Sequence, residues 1–177
     1  DGEYLIDRAQ RLAQEIALPQ HIYLCGDVPN KKCLPDKVPH LGPLSGILSA
    51  YEYLHEHVSR TYPWLMVMPV DMPFLTSALL NHLLISTIHT KSQAVYYTSF
   101  EMPCLLRYSV HTHSILRQLC EEKHPTQRSL RQFFARISAH SIALPEHMHS
   151  CMRNLNYPED LNFTEEKNIH ESKARSR

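Results

Sequence analysis

An uninterrupted apolar run, Trp64 to Met68, is followed by Pro69 and, two residues later, by the acidic residue Asp71. The run does not alternate between apolar and polar residues, which is typical of a strand buried on both faces of a parallel sheet. In open α/β sheets, ligands bind at the carboxyl ends of such strands. A carboxylate there is well placed to hold Mg²⁺, which prefers oxygen ligands. The competing interpretation is that Asp71 only caps a turn.

Segments typical of helices and strands alternate along the chain. Amphipathic helices are predicted to begin near Leu5, after Gly42 and after Thr76, with apolar runs typical of strands between them. Thr76 is predicted to be the N-cap of the third helix. This order predicts an α/β fold, a three-layer α/β/α sandwich. A hairpin-like pair within Ala94–Tyr108 indicates a mixed sheet. One domain is expected over residues 1–163, followed by a polar C-terminal tail at residues 164–177.

Several connecting segments are also predicted. Residues 29–40 are rich in Pro, Lys and Asp and are expected to form a loop. Residues 99–103 are expected to form a turn between two strands. Residues 152–155 are expected to form a last short strand.

Composition argues against several classes of protein. The 18 Lys and Arg residues balance 18 Asp and Glu residues, which disfavours a basic nucleic-acid-binding protein. The longest apolar run is too short to span a membrane. The five cysteines are widely spaced and form no CxxC pair, which favours a reducing cytoplasm over a disulfide framework. With only four glycines, the chain contains no phosphate loop of the GxxxxGK or GxGxxG type.

A second candidate motif, Gly42-Pro43-Leu44-Ser45-Gly46, lies at the start of a predicted helix. Glycines there allow a ligand to come close to backbone N–H groups, and a helix N-terminus favours negative charge. The alternative is an ordinary loop-to-helix connection with a proline in the first turn.

A third motif contains Asn154 and Asn156. In a strand these two side chains lie on the same face, where their amides could orient water or a phosphate oxygen. The alternative is that Asn156 caps a helix and that Glu159 completes a capping box. Both interpretations are compatible.

The thirteen histidines include three HxH pairs. Two of these pairs lie in predicted helices, where residues i and i+2 point in different directions, so a histidine zinc site is disfavoured. The cysteines are interpreted as small core residues because no His or Asp pattern suggests a nucleophile.

Taken in order, the three motifs resemble those of the molybdenum cofactor guanylyltransferases. The resemblance covers nearly the whole chain, from about Gly2 to Leu161. It implies a Rossmann-like nucleotidyltransferase fold with a mostly parallel mixed sheet. It also implies transfer of GMP from GTP to the terminal phosphate of molybdopterin, with release of pyrophosphate.

The resemblance also implies roles for individual residues. Asp71 matches the family's magnesium-binding aspartate, so the expected cofactor is Mg²⁺, and Asp71 and Asn156 are the expected catalytic residues. Asp36 matches an aspartate that contacts the nucleotide, and Gly42 lies in the loop that lines the nucleotide pocket. Asn154 and Asn156 match asparagines on the side of the acceptor phosphate.

Several features depart from the family pattern. The family begins with an apolar strand and a loop of the form LAGGxSxRMGxDK, which does not occur here. Cys25 stands in the nucleotide site where relatives often have an asparagine, and Val70 and Tyr157 are further departures. Because the missing strand is central to the sheet in relatives, the chain is expected to be an excerpt. A protein that begins at Asp1 is expected to catalyse no guanylyl transfer.

The sequence leaves two kinds of function open. The first is an enzyme, either the guanylyltransferase or a cytidylyltransferase of the same cofactor pathway. The second is a non-catalytic relative that binds a nucleotide or a pterin. The expected partners are GTP and molybdopterin, or molybdenum-bound molybdopterin, with no nucleic acid and no membrane. The protein is expected to be a cytoplasmic monomer with transient contacts to other proteins of the pathway.

Overall fold

The computed structural model describes residues 4–57, 64–88 and 90–154. Its helices are α1 (Leu5–Gln14), α2 (Pro43–His57), α3 (Ser77–Ile85), α4 (Val110–Glu121) and α5 (Leu130–Arg136). Its strands are β1 (Leu24–Cys25), β2 (Cys33–Leu34), β3 (Trp64–Val67), β4 (Ala94–Tyr97), β5 (Phe100–Arg107) and β6 (Ala139–Ile142). Short 3₁₀ segments lie at Pro19–His21, Pro125–Gln127 and Glu146–Met152.

The described strands form two sheets. The larger has the order β3-β5-β4-β6. In it β5 is antiparallel to β3 and β4, whereas β4 and β6 are parallel. Three of its four strands therefore run in one direction, which confirms the prediction of a mostly parallel mixed sheet. The smaller sheet is the parallel pair β1 and β2.

Each face of the larger sheet carries its own apolar core. One core joins Ala94 and Leu106 to buried residues of α2, α4 and α5. The other joins Val95 and Leu105 to buried residues of α3 and to Leu12 of α1. Helices therefore cover both faces of the sheet, and the predicted three-layer α/β/α sandwich is confirmed.

Three helices begin at a Ser or Thr that caps the first turn. The side-chain oxygens of Thr76, Ser109 and Ser129 accept hydrogen bonds from the backbone N–H three residues later, at 3.3, 3.1 and 3.2 Å. These residues satisfy N–H groups that a helix cannot satisfy internally. The predicted cap at Thr76 is thereby confirmed.

The strand at Trp64–Val67 differs from its prediction, because all four of its residues are half-buried rather than fully buried. Among the described strands, β3 pairs only with β5 and lies at an edge of the larger sheet. An edge strand has a neighbour on one side only, so its side chains keep more contact with solvent.

Three connecting segments also differ from their predictions. Residues 29–40 contain the short strand β2, and residues 100–103 belong to β5, leaving a tighter turn at Thr98 and Ser99. Met152 ends a 3₁₀ segment instead of beginning a strand. The first two differences reflect pairing of β2 with β1 and of β5 with β4, which local composition does not encode. The predicted tail, residues 164–177, lies outside the described residues.

We expect Leu80→Ala to lower the free energy of unfolding by about 2–5 kcal/mol, because it opens a cavity in a close-packed core. Leu80 is fully buried in α3, whereas Leu84, one turn later, is 41% exposed. Leu84→Ala is the matched control and should cost less than about 1 kcal/mol. Urea denaturation of both variants measures the difference, and equal losses would contradict this packing of α3.

Candidate functional site

The segment that contains Asp36 is tied to α2 by two serine hydroxyls. Ser45 Oγ accepts a hydrogen bond from the Val38 N–H at 2.9 Å. Ser49 Oγ donates to the Pro35 carbonyl at 2.7 Å. Both serines are buried. Asp36 therefore lies in a segment that is held to the helix on both sides.

Gly46 brings β1 and Asp36 close to the first turns of α2. A Cβ atom at Gly46 would lie 3.0 Å from the Cβ of Cys25 and 3.8 Å from Oδ1 of Asp36. The first distance is tighter than an ordinary contact, so glycine allows this approach without a shift of β1. The structure thus brings together Cys25, Asp36 and the glycine motif, as their predicted common role requires.

The thiol of Cys25 is a weak acid. Burial of the thiol raises its pKa from 9.0 to about 11, and the nearby Asp36 carboxylate and Cys33 thiol add to this rise. The residue as a whole nevertheless remains exposed to solvent. At neutral pH the thiol is therefore protonated, which disfavours a role as a nucleophile.

Gly42 makes the turn into α2. Its φ of +61° lies in the left-handed region, which favours glycine. Its carbonyl accepts a hydrogen bond from the Ser45 N–H at 3.1 Å. Pro43, the first residue of α2, has no N–H, and the Ser45 N–H already has a partner, so few N–H groups at the start of α2 remain for an anion such as a phosphate.

Asp71 lies in the segment that connects β3 to α3. Asp71 is half-buried, and its carboxylate has no hydrogen-bond or ion-pair partner among the residues that the structure describes. The segment turns back through a hydrogen bond of 3.3 Å from the Leu75 N–H to the Met72 carbonyl. Met68 and Met72 pack against the core on the α3 side of the sheet. The carboxylate is therefore available to a ligand.

A lone carboxylate fits Mg²⁺ better than a metal that needs several protein ligands. Within residues 4–57, 64–88 and 90–154, no group of three or more His, Cys, Asp or Glu side chains could hold a metal ion. Mg²⁺ commonly binds through one or two carboxylates and completes its shell with water and substrate phosphates. The predicted role of Asp71 is compatible with this donor set.

Two arginines contact the segment that contains Asp71. The Arg8 Nε of α1 donates a hydrogen bond to the Pro73 carbonyl. The Arg153 guanidinium lies 5.9 Å from the centre of the Phe74 ring, a cation–π contact. Asn154 directly follows Arg153 and is exposed, so the third motif begins one residue after a contact with the segment that contains Asp71. The predicted site residue Asn156 lies outside the described residues.

The predicted residues therefore form two groups. One contains Cys25, Asp36 and Gly42 around the start of α2. The other is the segment that contains Asp71, whose Phe74 is contacted by Arg153, the residue before Asn154. Sequence reasoning missed the supporting residues Arg8, Ser45, Ser49 and Arg153. Ser45 lies within a motif and Arg153 directly precedes one. Their contacts with Val38 and Phe74 leave no repeating pattern in the sequence by which they could be predicted.

The fold and these two groups define a class of protein. A three-layer sandwich with an acidic residue after a strand and a glycine turn into a helix is compatible with the framework of Rossmann-like nucleotide-binding domains. The sequence profile of the family described as "MobA-like NTP transferase domain" matches residues 1–142. The chain belongs to this family, and its class is that of the nucleotidyltransferases.

Two curated relatives are each named molybdenum cofactor guanylyltransferase. One, from Xanthomonas euvesicatoria pv. vesicatoria (strain 85-10), is 29% identical over 158 residues, which cover 89% of this chain and 78% of the relative. The other, from Rhizobium rhizogenes strain K84, is 29% identical over 177 aligned positions, which cover 90% of this chain and 78% of the relative. The resemblance inferred from the motifs is thereby confirmed.

Comparison with solved structures supports the fold. A crystal structure of an Aquifex aeolicus VF5 protein matches with a TM-score of 0.66, over 86% of this chain and 79% of that chain. Its sequence identity is 12%, so the match concerns the fold alone. In the part of the chain that the structure describes, no helix has the length and apolar character needed to cross a membrane.

We expect Cys25 to be alkylated by iodoacetamide roughly 100-fold more slowly at pH 8 than a thiol with a pKa of 9.0, because it holds less thiolate. Asp36→Asn should accelerate the reaction several-fold by removing a neighbouring negative charge. The rate is measured by mass spectrometry of the peptide that contains Cys25.

The matched control is Asp27→Asn, which removes an exposed carboxylate two residues from Cys25. This variant should leave the rate unchanged. Equal alkylation rates for Asp36→Asn and the unaltered protein would show that the Asp36 carboxylate does not act on the thiol.

Proposed function

We propose that this protein is a Mg²⁺-dependent molybdenum cofactor guanylyltransferase. It transfers GMP from GTP to the terminal phosphate of molybdopterin and releases pyrophosphate. The observation that carries the proposal is the contact of Arg153 with Phe74, which brings the start of the asparagine motif to the segment that contains Asp71. The names of both curated relatives support the same activity.

The group around α2 is the proposed nucleotide site. Backbone N–H groups around Gly42 that have no partner within α2 bind phosphate oxygens, and Asp36 accepts hydrogen bonds from the nucleotide. Gly42 and Gly46 keep side-chain atoms away from this region. Cys25 lies beside Asp36 as a neutral thiol and contributes a weak hydrogen-bond donor.

The group around Asp71 is the proposed metal and acceptor site. Asp71 would hold Mg²⁺, which when bound neutralises negative charge on the phosphates. Asn154 and Asn156 orient the acceptor phosphate through their amides. An oxygen of that phosphate forms a bond to the α-phosphorus of GTP while the bond to the β-phosphate oxygen breaks.

This reaction depends on positioning more than on proton transfer. The acceptor is already an ionised phosphate, so no strong general base is required. The main barrier is the approach of two polyanions, which fixed backbone donors and local positive charge reduce. A chain with balanced charge can supply these features locally.

Two alternatives to the guanylyltransferase can each be distinguished by a particular feature. A cytidylyltransferase of the same pathway would share the fold and Asp71 and would differ in base choice. A non-catalytic nucleotide- or pterin-binding protein is favoured by Cys25 and by the lack of a Gly-rich loop in these 177 residues. The proposal includes a monomer that acts in the cytoplasm.

We expect the natural full-length protein to form molybdopterin-guanine dinucleotide and pyrophosphate from GTP and molybdopterin in the presence of Mg²⁺. Asp71→Asn should lower the rate by about 10²–10³-fold, because it removes the proposed metal ligand. Liquid chromatography of the products, with GTP, CTP and ATP compared, measures activity and base choice.

Glu101→Gln is a suitable control, because Glu101 is an exposed carboxylate on β5. It should retain full activity. Preference for CTP would favour the cytidylyltransferase, and nucleotide binding without pyrophosphate release would favour the non-catalytic alternative. Full activity of Asp71→Asn would contradict the proposed role of this carboxylate.

A further inference from the structure

A hydrogen bond from helix α1 restrains the segment that contains Asp71. Arg8 Nε donates to the carbonyl of Pro73, two residues after Asp71. Arg8 is exposed, and no other side chain among the described residues makes a hydrogen bond to residues 69–75 of this segment. A charged donor makes a stronger hydrogen bond than a neutral one. Arg8 is therefore well suited to restrain a segment whose functional carboxylate has no partner of its own.

Helix α1, which carries Arg8, is itself fixed by contacts with Lys31. Lys31 Nζ lies 2.5 Å from Asp7 Oδ1 and 2.6 Å from Gln10 Oε1. Lys31 belongs to the β1–β2 connection, which also leads to Asp36. Helix α1 therefore contacts both the β1–β2 connection, through Lys31, and the segment that contains Asp71, through Arg8.

Apolar packing adds to this anchoring. Leu12 and Ile16, in and just after α1, pack against the same core as Met68 and Met72 on either side of Asp71. The helix and the segment thus share buried neighbours as well as a hydrogen bond. A change at Arg8 is expected to release the segment without unfolding the helix, because this packing remains.

We propose that Arg8 is a positioning residue for Asp71. Its hydrogen bond to the Pro73 carbonyl fixes the backbone that presents the Asp71 carboxylate to a divalent cation. The inference rests on the proposed function, since that function assigns the cation to Asp71. Losing this restraint lowers cation affinity, because the segment must then be ordered when the cation binds.

The test is Mn²⁺ binding to the natural full-length protein, followed by the electron paramagnetic resonance signal of free Mn²⁺. We expect Arg8→Ala to weaken binding by about 3–10-fold, the effect of one lost hydrogen bond. Arg8→Lys, which retains a cationic donor, should restore most of the affinity. Asp71→Asn should abolish binding at this site.

Arg136→Ala is the matched control, because Arg136 is an exposed arginine in the last turn of α5. It removes the same charge and should leave Mn²⁺ affinity unchanged. Amide hydrogen exchange in a peptide that spans residues 68–76 gives a second readout. Exchange there should be faster in Arg8→Ala and close to normal in Arg8→Lys.

The outcomes separate this inference from the proposed function. If the protein transfers no nucleotide but Mn²⁺ affinity still depends on Asp71 and Arg8, the inference stands and the proposed function fails. If Arg8→Ala binds Mn²⁺ as tightly as the unaltered protein, the inference is overturned, whether or not transfer occurs. An equal loss in Arg136→Ala would also overturn it, because the effect would then be one of net charge.

Discussion

Burial of both faces of the β3-β5-β4-β6 sheet is the constraint on which the rest of the structure depends. Neighbouring residues of one strand, such as Leu105 and Leu106, enter different cores. Helices on both sides cover a sheet of this kind, so the connections between strands and helices lie at the ends of the strands. Those connections are where the polar candidate residues lie.

In the candidate site, contacts from other residues fix the segments that contain Asp36 and Asp71. Ser45 and Ser49 use backbone partners to fix the segment around Asp36. Arg8 and Arg153 contact the segment around Asp71 by a hydrogen bond and a cation–π contact. In both groups, residues other than the acidic residues themselves hold the segments that carry the acidic side chains. A loop positioned by a rigid scaffold is a common place for binding residues.

Local patterns in the sequence predicted the features that depend on local chemistry. The Thr76 cap and the helix after Gly42 follow from short-range hydrogen bonding and from apolar spacing. The position of β3 at an edge of the described sheet and the strand β2 could not be predicted, since pairing of β3 with β5 and of β2 with β1 decides them. The same reason applies to Arg8, whose hydrogen-bond partner lies 65 residues away along the chain.

Cys25 stands where relatives often have an asparagine, and this difference bears on whether the proposed nucleotide site can still serve catalysis. The resemblance places an asparagine there, which would donate a strong amide hydrogen bond, whereas a thiol is a weak donor. A thiolate would add negative charge beside a triphosphate, but the raised pKa of Cys25 keeps the thiol neutral at physiological pH. In the proposed nucleotide site, the replacement would therefore remove a hydrogen bond without adding repulsion. Its expected cost is in nucleotide affinity, and the roles of Asp36 and Asp71 do not depend on it.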